Sequence, residues 1–177
     1  MGSEMCIRDR VCPGSFDPVT NGHLDIFTRA AAHWEEVTVL VTYNPNKKGL
    51  FNEEERVSLI ERALDALPAD RRPKNIKVDT WNTLLVDYLK KHNVTAMVKG
   101  LRSSLDYEYE LPMAQMNQRL SGAETFFLLT SPEYGYVSST LCKEVAKYGG
   151  DVSGLLPEPV ADAVMTKYRD LGFGRQD

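Results

Sequence analysis

Short apolar segments with the character of β-strands alternate with segments of helical periodicity along this chain of 177 residues. Apolar residues recur at helical spacing at Leu24, Phe27, Ala31 and Trp34. Residues 37–41 then form a nearly unbroken aliphatic run, which is typical of a strand covered on both faces. Further strands are predicted within residues 76–78, 95–98 and 125–130. Five such alternations predict an α/β fold, a Rossmann-like five-stranded parallel sheet with helices on both faces.

The two ends of the chain fit this pattern least well. We predict a single domain over residues 1–177, because a chain of this length can bury a sizeable core. The charged residues at 8–10 interrupt the apolar sequence that a central first strand requires. We therefore expect residues 1–6 to be disordered or non-native, with an irregular strand until about Ile7. Residues 172–177 are expected to form a flexible tail.

The composition excludes several classes of protein. Hydrophobic residues make up 42% and charged residues 26% of the chain, which is typical of a globular protein. A net charge of −4 disfavours non-specific nucleic-acid binding, because that binding depends on Lys and Arg. No apolar run approaches the ~20 residues that span a bilayer, and residues 1–10 do not resemble a signal peptide. Cys6, Cys12 and Cys142 are too scattered to indicate disulfides or a zinc site. We expect a cytoplasmic protein without membrane or nucleic-acid partners.

Residues 12–23, with the sequence CPGSFDPVTNGH, combine two prolines and two glycines and lead directly into the first predicted helix. Gly14 allows the backbone to approach a ligand closely. The first amides of a helix have no intrahelical partner, so they stabilise an anion together with the helix dipole. His23 is placed to donate a hydrogen bond to such an anion. A single His at a helix start is also commonly a capping or solvated residue, so this segment alone leaves both interpretations open.

Residues 20–23, with the sequence TNGH, resemble the T-x-G-H signature of the nucleotidyltransferase superfamily. The longer segment around them resembles the phosphopantetheine adenylyltransferase family. Residues 100–110 and 134–143 resemble two further motifs of that family, and the similarity extends over residues 11–168. The resemblance implies transfer of the adenylyl group of ATP to 4'-phosphopantetheine, which yields dephospho-coenzyme A and pyrophosphate in coenzyme A biosynthesis. It also implies a homohexamer.

The same resemblance implies the roles of individual residues. His23 is the expected catalytic residue and would stabilise the transition state. The expected ATP-binding residues are Ser15, Phe16, His23, Gly100, Leu101, Arg102, Glu110, Tyr134, Gly135, Tyr136, Val137, Ser138, Ser139 and Thr140. The expected phosphopantetheine-binding residues are Ser15, Lys47, Leu85 and Lys99. Many relatives carry Arg in place of Lys99, and Lys retains the charge without the bidentate geometry.

Positive charges also occur at predicted strand ends, where ligands collect in open α/β sheets. Lys99 and Arg102 lie on either side of Gly100, an arrangement suited to gripping phosphate groups. Lys47 follows the strand at residues 37–41. Surface lysine pairs are commonly solvated turns, and the hydroxyls at residues 138–140 have the pattern of helix N-caps. The residues alone therefore leave a structural explanation open for each.

The predicted site contains no obvious general acid and base, which suits adenylyl transfer to a phosphate. A phosphomonoester with a second pKa of about 6 is largely ionised at neutral pH and needs no base to attack. The site would instead place it in line with the α-phosphorus of ATP. Mg²⁺ is expected as the cofactor that accompanies ATP, held mainly by phosphates and water. No metal site on the protein is predicted, since Glu53, Glu54 and Glu55 suit a helix N-terminus.

Two alternative functions remain open from the residues. The chain could be an adenylyl- or cytidylyltransferase for another phosphorylated acceptor, such as nicotinamide mononucleotide. It could also be a nucleotide-binding protein without catalytic activity. The absence of G-x-x-x-x-G-K-[ST] and G-x-G-x-x-G motifs argues against a P-loop kinase and a dinucleotide-dependent dehydrogenase.

Pro112 is the one residue that conflicts with its predicted element. It lies within a helix that the pattern starts at Asp106, and proline in a helix interior costs about 3 kcal/mol. We therefore expect a kink or a later helix start at this position.

Overall fold

The computed structural model describes residues 9–174. Five parallel strands form one sheet in the order β3-β2-β1-β4-β5. The strands are β1 (Asp9–Gly14), β2 (Glu36–Thr42), β3 (Ile76–Trp81), β4 (Ala96–Leu101) and β5 (Glu124–Leu129). The helices are α1 (Asn21–His33), α2 (Glu53–Asp65), α3 (Leu85–Lys91), α4 (Ser104–Ser121), α5 (Ser139–Lys147) and α6 (Glu158–Asp170). The predicted alternation of strands and helices is confirmed.

Each face of the sheet has its own core, because successive side chains of a strand point to opposite faces. On one face, Val39 and Val41 of β2 are buried with side chains of α1, α2, α5 and α6. On the other face, Leu40 of β2 is buried with Tyr88 and Leu89 of α3. Helices therefore cover both faces, as predicted, and the middle strands are the most completely enclosed.

The strand order creates a crevice at one end of the sheet. The chain runs outward from β1 through β2 to β3 and then returns to place β4 on the other side of β1. In open α/β sheets, ligands bind at this reversal, outside the carboxyl ends of the strands. Here the reversal lies between Gly14, at the end of β1, and Leu101, at the end of β4.

The charged residues of β1 lie at its N-terminal end. Asp9 and Arg10 pair in register with Glu36 and Val37 of β2. The guanidinium carbon of Arg10 lies 5.5 Å from the ring centroid of Trp34, a favourable cation–π arrangement. The expectations for residues 1–6 and for Ile7 concern residues outside the described range.

The predicted tail at residues 172–177 lies partly outside that range. Of its described residues, Phe173 donates its backbone N–H to the carbonyl of Tyr168 at 2.9 Å. Its ring contacts the ring of Tyr168 edge to face, and the Lys147 ammonium lies 4.5 Å from its centroid. The chain is thus packed against α5 and α6 as far as Phe173.

The expected late start of the fourth helix is wrong. The helix α4 begins at Ser104, where Ser103 accepts a hydrogen bond from the Asp106 N–H at 3.2 Å, and it passes through Pro112 without ending. Proline removes the N–H that would bond to the carbonyl four residues earlier. Pro112 is exposed, so water can solvate that carbonyl of Glu108 in place of the lost donor.

Candidate functional site

A cavity of about 560 Å³ opens at the reversal of the strand order. Its walls come from the ends of β1 and β4, the start of α1, one side of α4 and the start of α5. The predicted site residues that line it are Ser15, Phe16, His23, Lys99, Gly100, Arg102, Glu110, Val137, Ser138, Ser139 and Thr140. The fold thus brings together residues from all three sequence motifs.

The turn between β1 and α1 is packed into the core. Residues 16–20 are all buried, whereas Ser15 is exposed at the cavity. Phe16 has a φ of 45°, a left-handed conformation that is uncommon for an aromatic residue. Its ring makes edge-to-face contacts with His23 and Phe27 at centroid distances of 5.1 and 5.2 Å. The aromatic packing holds this turn and the imidazole in one arrangement.

The imidazole of His23 belongs to a capping box at the start of α1. The backbone N–H of Thr20 donates to Nδ1 of His23 at 3.0 Å, and the backbone N–H of His23 donates to the Thr20 hydroxyl at 3.3 Å. Because Nδ1 accepts from an amide, the proton of the neutral ring resides on Nε2. Capping and catalysis therefore do not exclude each other here, since the cap fixes the ring as an Nε2 donor.

The same environment keeps His23 neutral. Desolvation by burial, and secondarily the positive charge of Arg102, lower the pKa of His23 from 6.5 to about 4. Part of the imidazole surface remains accessible from the cavity, so the desolvation reflects the depth of the site and not complete enclosure. At neutral pH the ring is a neutral hydrogen-bond donor, and positive charge comes from neighbouring side chains.

One of those side chains is Lys99 at the end of β4. Its ammonium donates to Oε2 of Glu110 at 2.6 Å, and both side chains are about one-fifth exposed, at 21% each. At the cavity wall, the negative charge of Glu110 offsets the positive charge of Lys99. A phosphate that binds Lys99 must therefore compete with Glu110 or join it around the ammonium.

Arg102 links β4 to the segment before α5. Its guanidinium donates to the carbonyl of Val137 at 3.1 Å and to Asp106 at 3.3 Å. The Ser138 hydroxyl accepts from the Leu141 N–H at 3.1 Å and caps α5, and the Ser139 hydroxyl donates to the Pro18 carbonyl at 2.7 Å. The two serines thus have structural partners, and they also place the N-terminus of α5 at the cavity.

The remaining predicted site residues do not line this cavity. They are Lys47, Leu85, Leu101, Tyr134, Gly135 and Tyr136. Lys47 is exposed in the loop after β2, whose last residue, Thr42, does reach the cavity. Leu85 begins α3 and packs at the edge of the second core. Their roles in binding stay predictions.

Several residues of the site were not predicted from the sequence. Thr42 and Thr130 reach the cavity from the ends of β2 and β5, and the rule that ligands collect at carboxyl ends of strands would have found them. Asp106, Tyr109 and Met113 join Glu110 along one side of α4. Their spacing of three or four residues on a helix is the signal that was available.

Buried thiols contribute little chemistry to the site. Cys12 lines the cavity wall but is almost fully buried, and that burial raises its thiol pKa to about 12. Because the thiolate is the reactive form, Cys12 is inert near neutral pH. Among the described residues, no group of three or more His, Cys, Asp or Glu side chains could hold a metal ion. The donors of the cavity are instead suited to anions.

The crevice between β1 and β4 is surrounded by a neutral histidine donor, two positive side chains and two helix N-termini, an arrangement suited to the phosphate chemistry of a nucleotidyltransferase. Consistent with this class, the sequence model of the Cytidylyltransferase-like family matches residues 11–145. A curated relative from Corynebacterium efficiens, named phosphopantetheine adenylyltransferase, is 72% identical over 159 residues, which cover 89% of this chain and 96% of that protein. The chain belongs to the phosphopantetheine adenylyltransferase family.

Other relatives agree with this assignment. The phosphopantetheine adenylyltransferase of Corynebacterium diphtheriae is 58% identical over 164 residues, covering 92% of this chain and 99% of that protein. Among solved structures, the nicotinic acid mononucleotide adenylyltransferase of Plasmodium falciparum, complexed with NaAD, superimposes with a TM-score of 0.67 at 13% identity. That alignment covers 94% of this chain and 98% of that one. At such low identity the likeness concerns the fold.

Proposed function

We propose that the protein transfers the adenylyl group of ATP to 4'-phosphopantetheine, forming dephospho-coenzyme A and releasing pyrophosphate. The observation that carries this proposal is the fixed imidazole of His23, held as an Nε2 donor in a cavity that also contains Lys99 and Arg102. The family of the chain supplies the identity of the acceptor.

The geometry supports catalysis by placement and charge stabilisation. The phosphate of the acceptor attacks the α-phosphorus of ATP in line with the departing pyrophosphate. Negative charge on the α-phosphoryl oxygens is stabilised by the Nε2–H of His23, which is neutral and already oriented. Arg102 and the N-terminus of α5 are suited to the leaving pyrophosphate, since both present hydrogen-bond donors to an anion. No side chain needs to remove a proton from the acceptor.

We further propose that Mg²⁺ enters the site as the counter-ion of ATP. The described residues around the cavity do not form an acidic cluster, and their charged groups include Lys99 and Arg102. Such a donor set suits the phosphates of the nucleotide and leaves the metal to phosphate oxygens and water. Omission of Mg²⁺ should therefore weaken ATP binding without changing the stability of the protein in the absence of ATP.

For the acceptor side we propose Lys47, Leu85 and Lys99 as binding residues. Lys99 lies in the cavity, and Lys47 belongs to a loop that leaves the same end of the sheet beyond Thr42. An ammonium on a flexible stem can follow a phosphate into the cavity from an exposed loop. Leu85 would contact the apolar part of the pantetheine chain.

A pyrophosphate-release assay with purified protein tests the function directly. ATP and Mg²⁺ are supplied with 4'-phosphopantetheine, nicotinamide mononucleotide or nicotinic acid mononucleotide in parallel. Of the three acceptors, we expect only 4'-phosphopantetheine to give turnover. Replacement of ATP by CTP should give little product. Turnover with a mononucleotide alone would indicate a different acceptor. ATP binding without pyrophosphate release from any acceptor would indicate a nucleotide-binding protein without catalytic activity.

We also propose that the protein assembles as a homohexamer. The 18 residues of α4 include none that is buried, although Leu105, Met116 and Leu120 are large and apolar and lie outside the cavity. The neighbouring edge strand β5 exposes Leu129 to 75%. An apolar helix beside an apolar strand edge is the kind of surface that association buries.

Light scattering in solution tests this assembly. The expected mass is six times the 19.9 kDa of one chain. Met116→Glu should lower that mass, because it places a charge on the apolar side of α4, whereas Glu61→Arg on the exposed surface of α2 should leave it unchanged. A monomeric wild-type protein would contradict the proposal.

The cytoplasm is the proposed compartment. Cys12 and Cys142 are both unpaired thiols in the described structure, as expected where glutathione keeps thiols reduced. Within residues 9–174 no helix has the length and apolar character needed to cross a bilayer. Cell fractionation followed by detection of the protein with an antibody tests this localisation.

A further inference from the structure

Three charged residues outside the cavity form a cluster at the turn between β1 and α1, and two of them are buried. They are Asp17 in that turn, Arg56 in α2 and Lys143 in α5, and we refer to them as the ionic cluster. Asp17 and Arg56 are only 7% and 5% exposed. Burying charges is costly unless each has partners, so this arrangement requires an explanation.

Arg56 contacts three separate parts of the chain. Its Nη1 donates to the carbonyl of Ser15 at 3.2 Å, and its Nε donates to the carbonyl of Phe51 at 2.9 Å. Its Nη2 lies 3.4 Å from Oδ2 of Asp17, and its guanidinium carbon lies 5.1 Å from the ring centroid of Tyr43. The planar guanidinium holds these acceptors with donors in a fixed fork, a geometry that the compact ammonium of lysine cannot reproduce.

Asp17 completes the link from the opposite side. Its two carboxylate oxygens accept from the backbone N–H groups of Leu50 and Phe51, each at 2.9 Å. Oδ2 also lies 3.3 Å from the ammonium of Lys143. Asp17 therefore attaches the end of the loop between β2 and α2 to the turn between β1 and α1.

The backbone of that loop packs directly on the charged pair. A Cβ atom at Gly49 would lie 2.6 Å from Oδ2 of Asp17 and would collide with the guanidinium of Arg56. No larger residue fits at this position without displacing the pair. The loop that carries Lys47 is thus anchored two residues later by a close contact.

We infer that the Asp17–Arg56 pair is a positioning element for acceptor binding, which sets the place of the Lys47 loop relative to Ser15. Arg56 does not line the cavity, and it acts through the Ser15 carbonyl and the loop end at Phe51. This inference rests on the proposed function, because it takes Lys47 as a ligand of the acceptor phosphate. Small misplacements of reacting groups can lower rates by up to ~10².

The principal test compares Arg56→Lys with wild type and with the control Arg62→Lys, an exposed arginine on the same helix. Steady-state kinetics with varied 4'-phosphopantetheine give kcat and the acceptor KM, and calorimetry gives the Kd for ATP. We expect Arg56→Lys to raise the acceptor KM by at least ~10-fold while the ATP Kd changes by less than ~3-fold. The turn that follows Ser15 keeps its capping box and its aromatic contacts, whereas the loop end at Phe51 loses the hydrogen bond from Arg56. Arg62→Lys should change neither value.

Asp17→Asn provides an independent variant in case Arg56→Lys does not fold. It retains one carbonyl oxygen, so one of the two amides at Leu50 and Phe51 loses its acceptor. Hydrogen exchange should be faster at these amides. As in Arg56→Lys, the acceptor KM should rise while the ATP Kd changes little. Faster exchange with unchanged acceptor KM would overturn the inference, and so would a parallel rise of acceptor KM and ATP Kd.

Failure of the proposed function is distinguishable from failure of this inference. Wild-type protein that releases no pyrophosphate with 4'-phosphopantetheine would reject the function. A direct titration of acceptor binding to wild type and Arg56→Lys would then decide the positioning role alone. Wild-type turnover with unaltered variants would reject the positioning role and leave the function intact.

Discussion

Two loops at the same end of the sheet are built in opposite ways. The loop between β1 and α1 is enclosed, and residues 16–20 are all buried. The loop between β2 and α2 is open, and residues 44–49 are all exposed. Both leave the carboxyl ends of adjacent strands, so the difference arises from their contacts and not from their place in the fold.

The difference shows how each half of the proposed site obtains its geometry. In the first loop, Thr20 and His23 are joined by two hydrogen bonds and lie only three positions apart in the chain. The orientation of the imidazole is therefore set as the first turn of α1 forms. In the second loop, the local contacts include the Lys47 N–H donating to the Asn44 carbonyl at 3.1 Å. Its attachment to the rest of the site comes from Asp17, more than thirty residues away in the chain. The turn that carries His23 is thus organised by local contacts, whereas the loop that carries Lys47 is attached through the distant Asp17, which pairs with Arg56.

Removal of the His23 side chain from the enclosed loop should have the largest effect on turnover. In His23→Ala the enclosed loop loses its charge-stabilising donor, so kcat should fall by ~10²–10³, equivalent to about 2.7–4 kcal/mol of transition-state stabilisation. ATP binding should remain measurable by calorimetry, because other groups hold the nucleotide. The control His33→Ala changes an exposed residue at the end of α1 and should retain wild-type turnover. Near-normal turnover of His23→Ala would exclude His23 from the mechanism.

The pH dependence of the free energy of unfolding tests the enclosed loop separately, because His23 belongs to that loop. The pKa of His23 is about 4 in the folded protein and 6.5 as its ordinary value, so the unfolded chain binds more protons between these values. The free energy of unfolding should therefore fall as pH is lowered from 6.5 towards 4, by about 2–3 kcal/mol from this residue. Urea unfolding of wild type and His23→Gln at pH 7 and pH 4.5 measures it. Equal pH dependence in the two proteins would contradict the assignment.

The open loop is tested by a matched pair of lysine variants. Lys47→Met removes a charged hydrogen-bond donor to the phosphate of the acceptor and should raise the acceptor KM by about 10-fold, near 1.4 kcal/mol. Lys48→Met changes the adjacent exposed lysine and should shift the acceptor KM by less than about 2-fold. The KM for ATP should be unaffected in both. Similar effects of the two variants would assign the loop a general electrostatic role.

The smallest expected effects compare two helix caps of the same type. Thr20 caps α1 in the enclosed loop, and Asn52 caps α2 after the open loop, each in a complete capping box. Thr20→Ala and Asn52→Ala should each cost about 1 kcal/mol in the free energy of unfolding. Thr20→Ala should also lower kcat by a small factor, because it removes the hydroxyl that lies 3.2 Å from Nδ1 of His23 while the Thr20 backbone N–H still donates to that atom. Asn52→Ala should change kcat little. Equal kcat values would show that the Thr20 hydroxyl is not needed and that the backbone N–H of Thr20 suffices to orient the imidazole.

Much of the fold and part of the site could be predicted because the signals are local. The aliphatic run at residues 37–41 identified β2, and the three acidic residues at 53–55 identified the N-terminus of α2. The sequence around His23 identified the helix start that carries it. These features involve residues a few positions apart, so neighbouring side chains and backbone groups decide them.

The expected late start of α4 was wrong for an equally physical reason. The cost of a proline in a helix interior was applied to Pro112, yet the residue is exposed and the helix continues through it from Ser104 to Ser121. Exposure depends on what packs against a helix, which its own sequence does not state. The pairing of Lys99 with Glu110, eleven residues apart on different elements, was missed for the same reason.

The sequence by itself determined the alternation of strands and helices and the helix starts at residues 21 and 53, because each rests on contacts between near neighbours in the chain. Only the tertiary structure decided the strand order, the cavity between β1 and β4 and the meeting of Asp17 with Arg56. Those features join residues that are far apart in sequence, and packing of the whole chain selects among the many pairings that local patterns permit.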